Sequence, residues 1–379
     1  MSTRENTVLH KTLGRILGCV LLFYGSTALA FTLIGVTEEE LTPGNIVTDT
    51  FTLQAQVQPI VGTIRSQIFG LRRPGSSKQV TQAGGLKLAA NDYSGSRSDV
   101  NLLAAAGDPS TGGGSGGGSG QSLWISTAYD SLENTFFRTA FYGATQNVLV
   151  GYDVTRSDKY VLGISGGYEA SNFVTSFNSG NEKTGGYNFN PYAAWLISDA
   201  WSLDLIAGYG KFKTDQTRLL GSAVDFSTIP VNSNFASKRS FASTNLSNIS
   251  AWGDWKLTSS LGYQWSQRDQ DAYTENGLSG AAVPELKQTS KQWNLLEEIA
   301  YGRGNSETFF GARYEAIRNY EKIEFTTGEQ PANDPTSALL TAGWRYFGKG
   351  LTASFVFSGR VAQEQVKEHG FSMVLRIDL

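Results

Sequence analysis

The chain has 379 residues, of which 40% are apolar and 12% aromatic, with 43 glycines and a formal net charge of −3. So small a charge leaves no basic footprint for nucleic acid, and the richness in Gly, Tyr and Phe is that of an all-β protein with many turns. Nowhere do 18 apolar residues follow one another, so there is no membrane helix, and a membrane-spanning form of this chain would have to be a closed β-barrel.

Residues 1–30 read as a secretory signal peptide. Arg4, Lys11 and Arg15 make a basic start, Ile16 to Tyr24 an apolar run, and Ala28-Leu29-Ala30 a small-x-small cleavage pattern carried by Ala28 and Ala30. The run is well short of the ~20 residues a spanning helix needs. Most of it follows Cys19, which argues against a lipoprotein signal. Cys19 is the single cysteine, so the processed chain has no thiol, in keeping with an envelope protein that stays unfolded in transit.

Residues 31–107 are mixed and rich in Gln and Thr, and are expected to form a short passenger or a pore-helix region. Two stretches in it have helical character. In 52–69, Leu53, Val57, Ile60, Val61, Ile64 and Ile68 recur at helical spacing, interrupted by Pro59. The other is 98–106, "SDVNLLAAA", stopped by Gly107. No repeat of 20–50 residues occurs, so no long solenoid stalk is expected. Residues 108–121, "DPSTGGGSGGGSGQ", are a flexible linker. Fully extended it reaches about 46 Å, more than the ~30 Å core of a bilayer.

Residues 122–379 alternate apolar and polar in segments of about ten residues, as half-buried strands do. Tyr160, Leu162, Ile164 and Tyr168 share a face against Ser165 and Glu169. Trp201, Leu203, Leu205 and Tyr209 oppose Ser202, Asp204 and Gly208, and Trp255, Leu261 and Tyr263 oppose Lys256, Thr258 and Gln264. The pairs Tyr160–Tyr168, Trp201–Tyr209 and Trp255–Tyr263 all span eight residues on the apolar face. Eight strand residues cover roughly 27 Å, or about 20 Å of height at a tilt of ~40°, close to the ~25 Å apolar band between the aromatic girdles of an outer-membrane barrel. A soluble sandwich explains the alternation but not aromatics at both ends of three strands. The expected fold is therefore all-β, a twelve-stranded antiparallel transmembrane β-barrel over 122–379.

The joins alternate short and long. Short ones fall near 155–159, 197–200, 248–250, 303–307 and 347–350; long ones near 171–184, 214–237, 267–290 and 318–336, with less distinct ones near 130–142 and 360–368. The last segment, "GFSMVLRIDL", alternates up to Leu379, as a strand that closes a barrel must. Phe371, Leu375, Ile377 and Leu379 are expected to face lipid and to act as a C-terminal assembly signal, the strand pairing with the one that begins near Leu123. That places Arg376 and Asp378 in the lumen.

Catalytic chemistry is thinly represented. The processed chain has one histidine, His369, without a nearby Ser or Asp pattern. No Cys/His cluster suggests a metal, and the Gly-rich tract lacks a phosphate-loop Lys. No enzyme activity and no cofactor are expected. By parity the lumen charges include Asp153, Glu169, Asp204, Lys256, Arg313, Glu315, Arg345 and Arg376, since on the lipid face a charge costs ~2–4 kcal/mol at midplane. They would hold a pore segment, set ion selectivity or pair with one another. Glu297 and Glu298 are adjacent, so one of them must face outward.

"LWISTAYDSLEN" followed by "GATQNVLVGYDVTRSDKYVLGISGGYEAS", and later "YNFNPYAAW", "WSLDLIAGYGKFKTDQTR" and "FFGARYE", resemble the strands of an autotransporter β-domain, the translocator of type V secretion, across about 120–379. The resemblance implies a monomeric barrel in the outer membrane of a Gram-negative bacterium. Its N-terminal segment would be exported to, or anchored at, the cell surface, with a helix in the pore before the first strand; 98–106, the nearer candidate, is the expected pore helix. Implied partners are outer-membrane lipid, the general secretory translocon, periplasmic chaperones and the barrel-assembly machinery. Such assembly signals usually end in Phe or Trp, where this chain has Leu379. A porin-like diffusion channel and a surface adhesin acting through the long loops are the alternatives.

Overall fold

The alternation of residues 120–378 closes on itself. The computed structural model describes residues 30–36, 50–70, 120–156, 159–221, 228–276, 282–325, 329–332, 334–348 and 350–379. A short strand, β1 (Ala30–Val36), precedes one helix, α1 (Thr50–Gly70). Then come β2 (Gly120–Asn134), β3 (Phe141–Arg156), β4 (Tyr160–Thr175), β5 (Gly180–Leu196), β6 (Trp201–Gly221), β7 (Thr228–Trp252) and β8 (Trp255–Gln270). A two-residue ribbon, β9 (Tyr273–Thr274) and β10 (Ala282–Val283), leads to β11 (Leu286–Arg303), β12 (Ser306–Ile317) and β13 (Asn319–Phe325). The chain ends in β14 (Thr336–Phe347), β15 (Leu351–Val361) and β16 (Val366–Asp378).

Twelve of these strands form a closed barrel in sequence order, all neighbours antiparallel, with β16 returning to pair with β2. The seam runs from Val366 opposite Asn134 to Asp378 opposite Ser122, and the Leu379 N–H donates to the Gln121 carbonyl at 2.9 Å. Closure satisfies both edge strands, the only way a sheet can lie in lipid.

Side chains follow the period of two. Leu162, Ile164, Leu205, Phe310, Phe357 and Ile377 point out, the last with 51% of its surface exposed. Two tiers of cross-strand aromatic pairs ring this outer face. Tyr160 stacks on Trp195 and Trp255 contacts Tyr301 near the short turns, while Tyr168 meets Tyr187 and Tyr263 meets Trp293 one tier higher. These tiers are the two expected girdles.

The turns differ from expectation in two ways. The join after β7 is at Gly253 and Asp254, not 248–250, because β7 continues to Trp252. Gly253 takes the positive φ (59°) this tight turn requires. The long joins are also shorter than expected: β4 and β5 are separated by four residues, and β6 and β7 run for 21 and 25 residues. Membrane strands need only ≈ 9–11, so these continue well past the apolar band as paired ribbon. Polar residues there, such as Thr214, Asp215 and Asn234, look like loop in the sequence yet stay in register. At the same long-loop end, β1 adds in parallel to β13, Ala30 opposite Asn319.

Candidate functional site in the barrel lumen

The lumen holds α1. At 1.5 Å per residue its 21 residues span about 32 Å, matching the ~30 Å bilayer core. This differs from the expectation that 98–106 would be the pore helix. The segment 98–106 lies outside the described residues, and Gly120 and Gln121 already belong to β2. Nearness to the first strand favours 98–106 in the sequence, while Pro59 interrupts the pattern of 52–69. Proline removes one intrahelical hydrogen bond, and a helix held on all sides by barrel wall tolerates that loss.

The helix and the wall are amphipathic in matching directions. Leu53, Val57, Ile60, Val61, Ile64 and Ile68 pack on inward-facing Trp124, Leu149, Val161, Tyr192, Ile206 and Phe241. The polar side of α1 meets polar wall. Gln54 donates to Ser290 at 2.5 Å, Gln58 accepts from Arg313 at 2.7 Å, Thr63 lies 3.3 Å from Ser126, and Arg65 donates to Ser243 at 2.8 Å and pairs with Asp204 at 3.3 Å.

These contacts fix the direction of α1. Ala55 clusters with Leu132, Phe136, Phe141, Phe173 and Ile317, all at the long-loop end. Arg65 reaches Asp204, three residues from the short-turn start of β6. The N-terminus of α1 therefore faces the long loops and its C-terminus the short turns, where β2 begins.

Every expected lumen charge points inward, and the charges are organised into pairs. Arg376 holds Asp153 at 2.8 Å and also bonds Ser122. Asp153 accepts from Tyr192 at 3.0 Å, and Tyr192 accepts from Trp124 at 2.9 Å. This chain of bonds links β16, β2, β3 and β5 across the closing seam. It needs glycine beneath its rings: a Cβ on Gly151 would lie 2.1 Å from the Trp124 ring, and one on Gly163 2.1 Å from that of Tyr192. Arg239 pairs with Glu169 and reaches Gln56 of the helix at 3.0 Å. Lys256 and Arg345 share Glu307, at 2.6 and 2.7 Å, and Arg345 takes Glu298 at 2.8 Å. Arg360 joins Glu315 and Glu368, at 2.6 and 2.8 Å, and Arg313 lies 3.7 Å from Glu315. Asp378 accepts from Arg376 at 3.4 Å. Of the adjacent pair Glu297 and Glu298, Glu297 is the one that faces out, held by the Ser259 hydroxyl at 2.6 Å.

The partners Arg65, Arg239, Glu307, Arg360 and Glu368 were not singled out from the sequence. Arg360 and Glu368 fall in a stretch that reads as a join, and Arg65 in the helical stretch farther from the first strand. At the long-loop end, the segment after β8 packs on the inner side of β6 and β7, where Gln216 donates to the Tyr273 hydroxyl at 2.7 Å. Tyr273 stacks on Phe235 with ring centres 4.6 Å apart, and Glu275 pairs with Arg218 at 2.8 Å. Among the C-terminal residues, Phe371 meets Phe357 on the outer face, and Leu375 and Ile377 share that face; Leu379 follows, 72% exposed. Ala28 lies outside the described residues and Ala30 opens β1. His369 is exposed near the long-loop end, opposite Ser131.

No curated protein sequence matches the chain. The fold is that of the translocator domain of the autotransporter NalP from Neisseria meningitidis, with a TM-score of 0.54 and 17% identity over 68% of this chain and 88% of that one. It is equally that of the β-domain of the Bordetella autotransporter Brka, with a TM-score of 0.54 and 15% identity over 68% of this chain and 99% of the other. The family model of the autotransporter β-domain matches residues 123–295, from β2 into β11. Over those residues the chain is similar to the autotransporter β-domain family, and the barrel as a whole shares the fold of its translocator domains.

Proposed function

We propose that this outer-membrane barrel carries its own N-terminal segment to the cell surface and remains there as its anchor. The direction of α1 carries the reading. Short turns face the periplasm in such barrels and long loops the exterior, so the chain before Thr50 leaves through the outer mouth. Gly70 and the start of β2 at Gly120 both stand at the short-turn end, the periplasmic side. The exported part is then the stretch before Thr50, shorter than the 31–107 assigned to a passenger from the sequence. Parallel pairing of β1 with β13, in the connection between β12 and β14, supports an N-terminal segment that stays at the outer mouth. Residues 1–30 act as the signal for the general secretory translocon. Chaperones keep the chain unfolded in the periplasm, and Phe371, Leu375, Ile377 and Leu379 present the last strand to the assembly machinery.

A short unstructured epitope inserted after Phe31 tests the reading in intact cells. Antibody is expected to bind it without permeabilisation, and external protease to remove it while the barrel stays heat-modifiable. An epitope reached only after the outer membrane is opened would contradict export.

A further inference from the structure

We propose that the outer face of β2 to β7, just above the upper aromatic tier, binds a phosphorylated glycolipid of the outer leaflet. The proposal rests on the outer-membrane orientation given above. A recess of about 1300 Å³ lies on this face. Its floor is made of small outward-facing residues, among them Ala144, Ala170, Gly185 and Ala236, and tyrosines wall its lower side. Tyr168 leans over Gly185 so closely that a Cβ there would sit 2.6 Å from its hydroxyl.

The upper side is basic. Lys183, Lys211, Lys213 and Lys238 line the recess, and all four are exposed. Lys211 lies directly opposite Lys238, and Tyr187 flanks Lys211 on its other side. Like charges directly opposite on neighbouring strands repel, and Lys211 and Lys213 are about 7 Å apart along one face of their strand. Among the described residues no ion pair reaches any of the four lysines. Two carboxylates border the recess: Glu133 has Lys367 as a partner at 3.4 Å, and Asp215 lies in register with Lys183. Asp269 is the far neighbour of Lys238 and accepts from Gln267 at 2.9 Å. An excess of cation therefore remains over the tyrosines.

Height gives the ligand class. Lys211 follows Tyr209 by two residues on the lipid-facing side, so the ammonium groups sit where the apolar band gives way to head groups. A ligand that fits has phosphates for the lysines, a flat polar body for the tyrosine-walled recess, and acyl chains that run down past Leu162 and Leu205. Inorganic phosphate satisfies only the first of these.

The test is native mass spectrometry of the full-length barrel in detergent, titrated with bis-phosphorylated, hexa-acylated glucosamine disaccharide. Wild type is expected to retain one glycolipid. Lys211→Gln with Lys238→Gln is expected to weaken binding about thirtyfold, given the usual contribution of each cation at a charged lipid surface. Lys159→Gln with Arg303→Gln, an equal charge change at the short-turn end, is expected to leave it unchanged. Equal binding of the dephosphorylated lipid, or unchanged binding by the first variant, would overturn the proposal. So would inorganic phosphate binding the lysines without competition from the glycolipid, which would mark an anion site alone. The heat-modifiable band separates the two readings: its presence with no glycolipid preference refutes this inference only, and its absence in wild type removes the membrane barrel on which it rests.

Discussion

Removing residues 50–70 is expected to turn a nearly silent barrel into a conducting one. Most of α1 from Thr52 to Ile68 is buried against the wall, on polar and apolar sides alike. A helix with side chains is ≈ 10–12 Å across, so its loss opens a passage of roughly 80–110 Å² in cross-section. That passage would be lined by Arg239, Arg313, Asp204 and Ser290, the present partners of the helix. Single-channel recording in a planar bilayer is expected to show at least about a tenfold rise in conductance over the intact chain. The segment held against the inner side of β6 and β7 through Tyr273 and Glu275 narrows the outer end, so added Glu275→Ala should increase the rise further. A high, steady conductance of the intact chain, unchanged by the deletion, would instead describe a diffusion channel.

The second large effect belongs to the closing seam. Arg376→Ala leaves Asp153 buried with only Tyr192 and Ser122 as partners. Breaking a buried pair from one side costs about 3–5 kcal/mol, whereas replacing both members with apolar residues is often close to neutral. Refolded barrels titrated with urea and scored by the heat-modifiable band are expected to lose that amount in Arg376→Ala. Most of it should return in the double variant Arg376→Met with Asp153→Leu. If the single variant unfolds with wild type, the pair does not hold β16 to β2 and β3.

These expectations draw on features that differ in how visible they are in the sequence. Parity is visible wherever one face is lipid and the other is not. It put Tyr160, Leu162 and Trp201 outside and Asp153, Glu169 and Arg345 inside, because a one-residue slip would exchange the two sets. The pairings are less visible. Arg345 serves both Glu307 and Glu298, from different strands, and which residues come level across strands depends on the barrel's stagger, which no single strand records. Strand ends are obscured for another reason: above the apolar band the outer face of β6 and β7 turns polar, with Lys211, Lys213 and Asp215, and only scattered apolar residues such as Phe212 and Phe235 mark the inner face, so the alternation that marks a strand fades while the pairing continues. The pore helix was hidden by distance. In the sequence 49 residues separate Gly70 from Gly120, and nearness to the first strand favours 98–106. What marks 50–70 instead is its pattern: an apolar stripe beside Gln54, Gln56, Gln58, Thr63 and Arg65 suits a half-polar tube better than it suits water or lipid.

The most direct measurement of the central claim uses two single cysteines on either side of α1. Cys19, in the signal segment, is the only native cysteine, and it is changed to serine so that no other thiol can react. Intact cells expressing Thr48→Cys or Ser77→Cys are treated with a membrane-impermeant maleimide before and after the outer membrane is permeabilised. Thr48→Cys should label fully in intact cells, and Ser77→Cys only after permeabilisation. Labelling in the opposite order, or protection of both positions in intact cells, would contradict a helix that leads the N-terminal segment out through the pore.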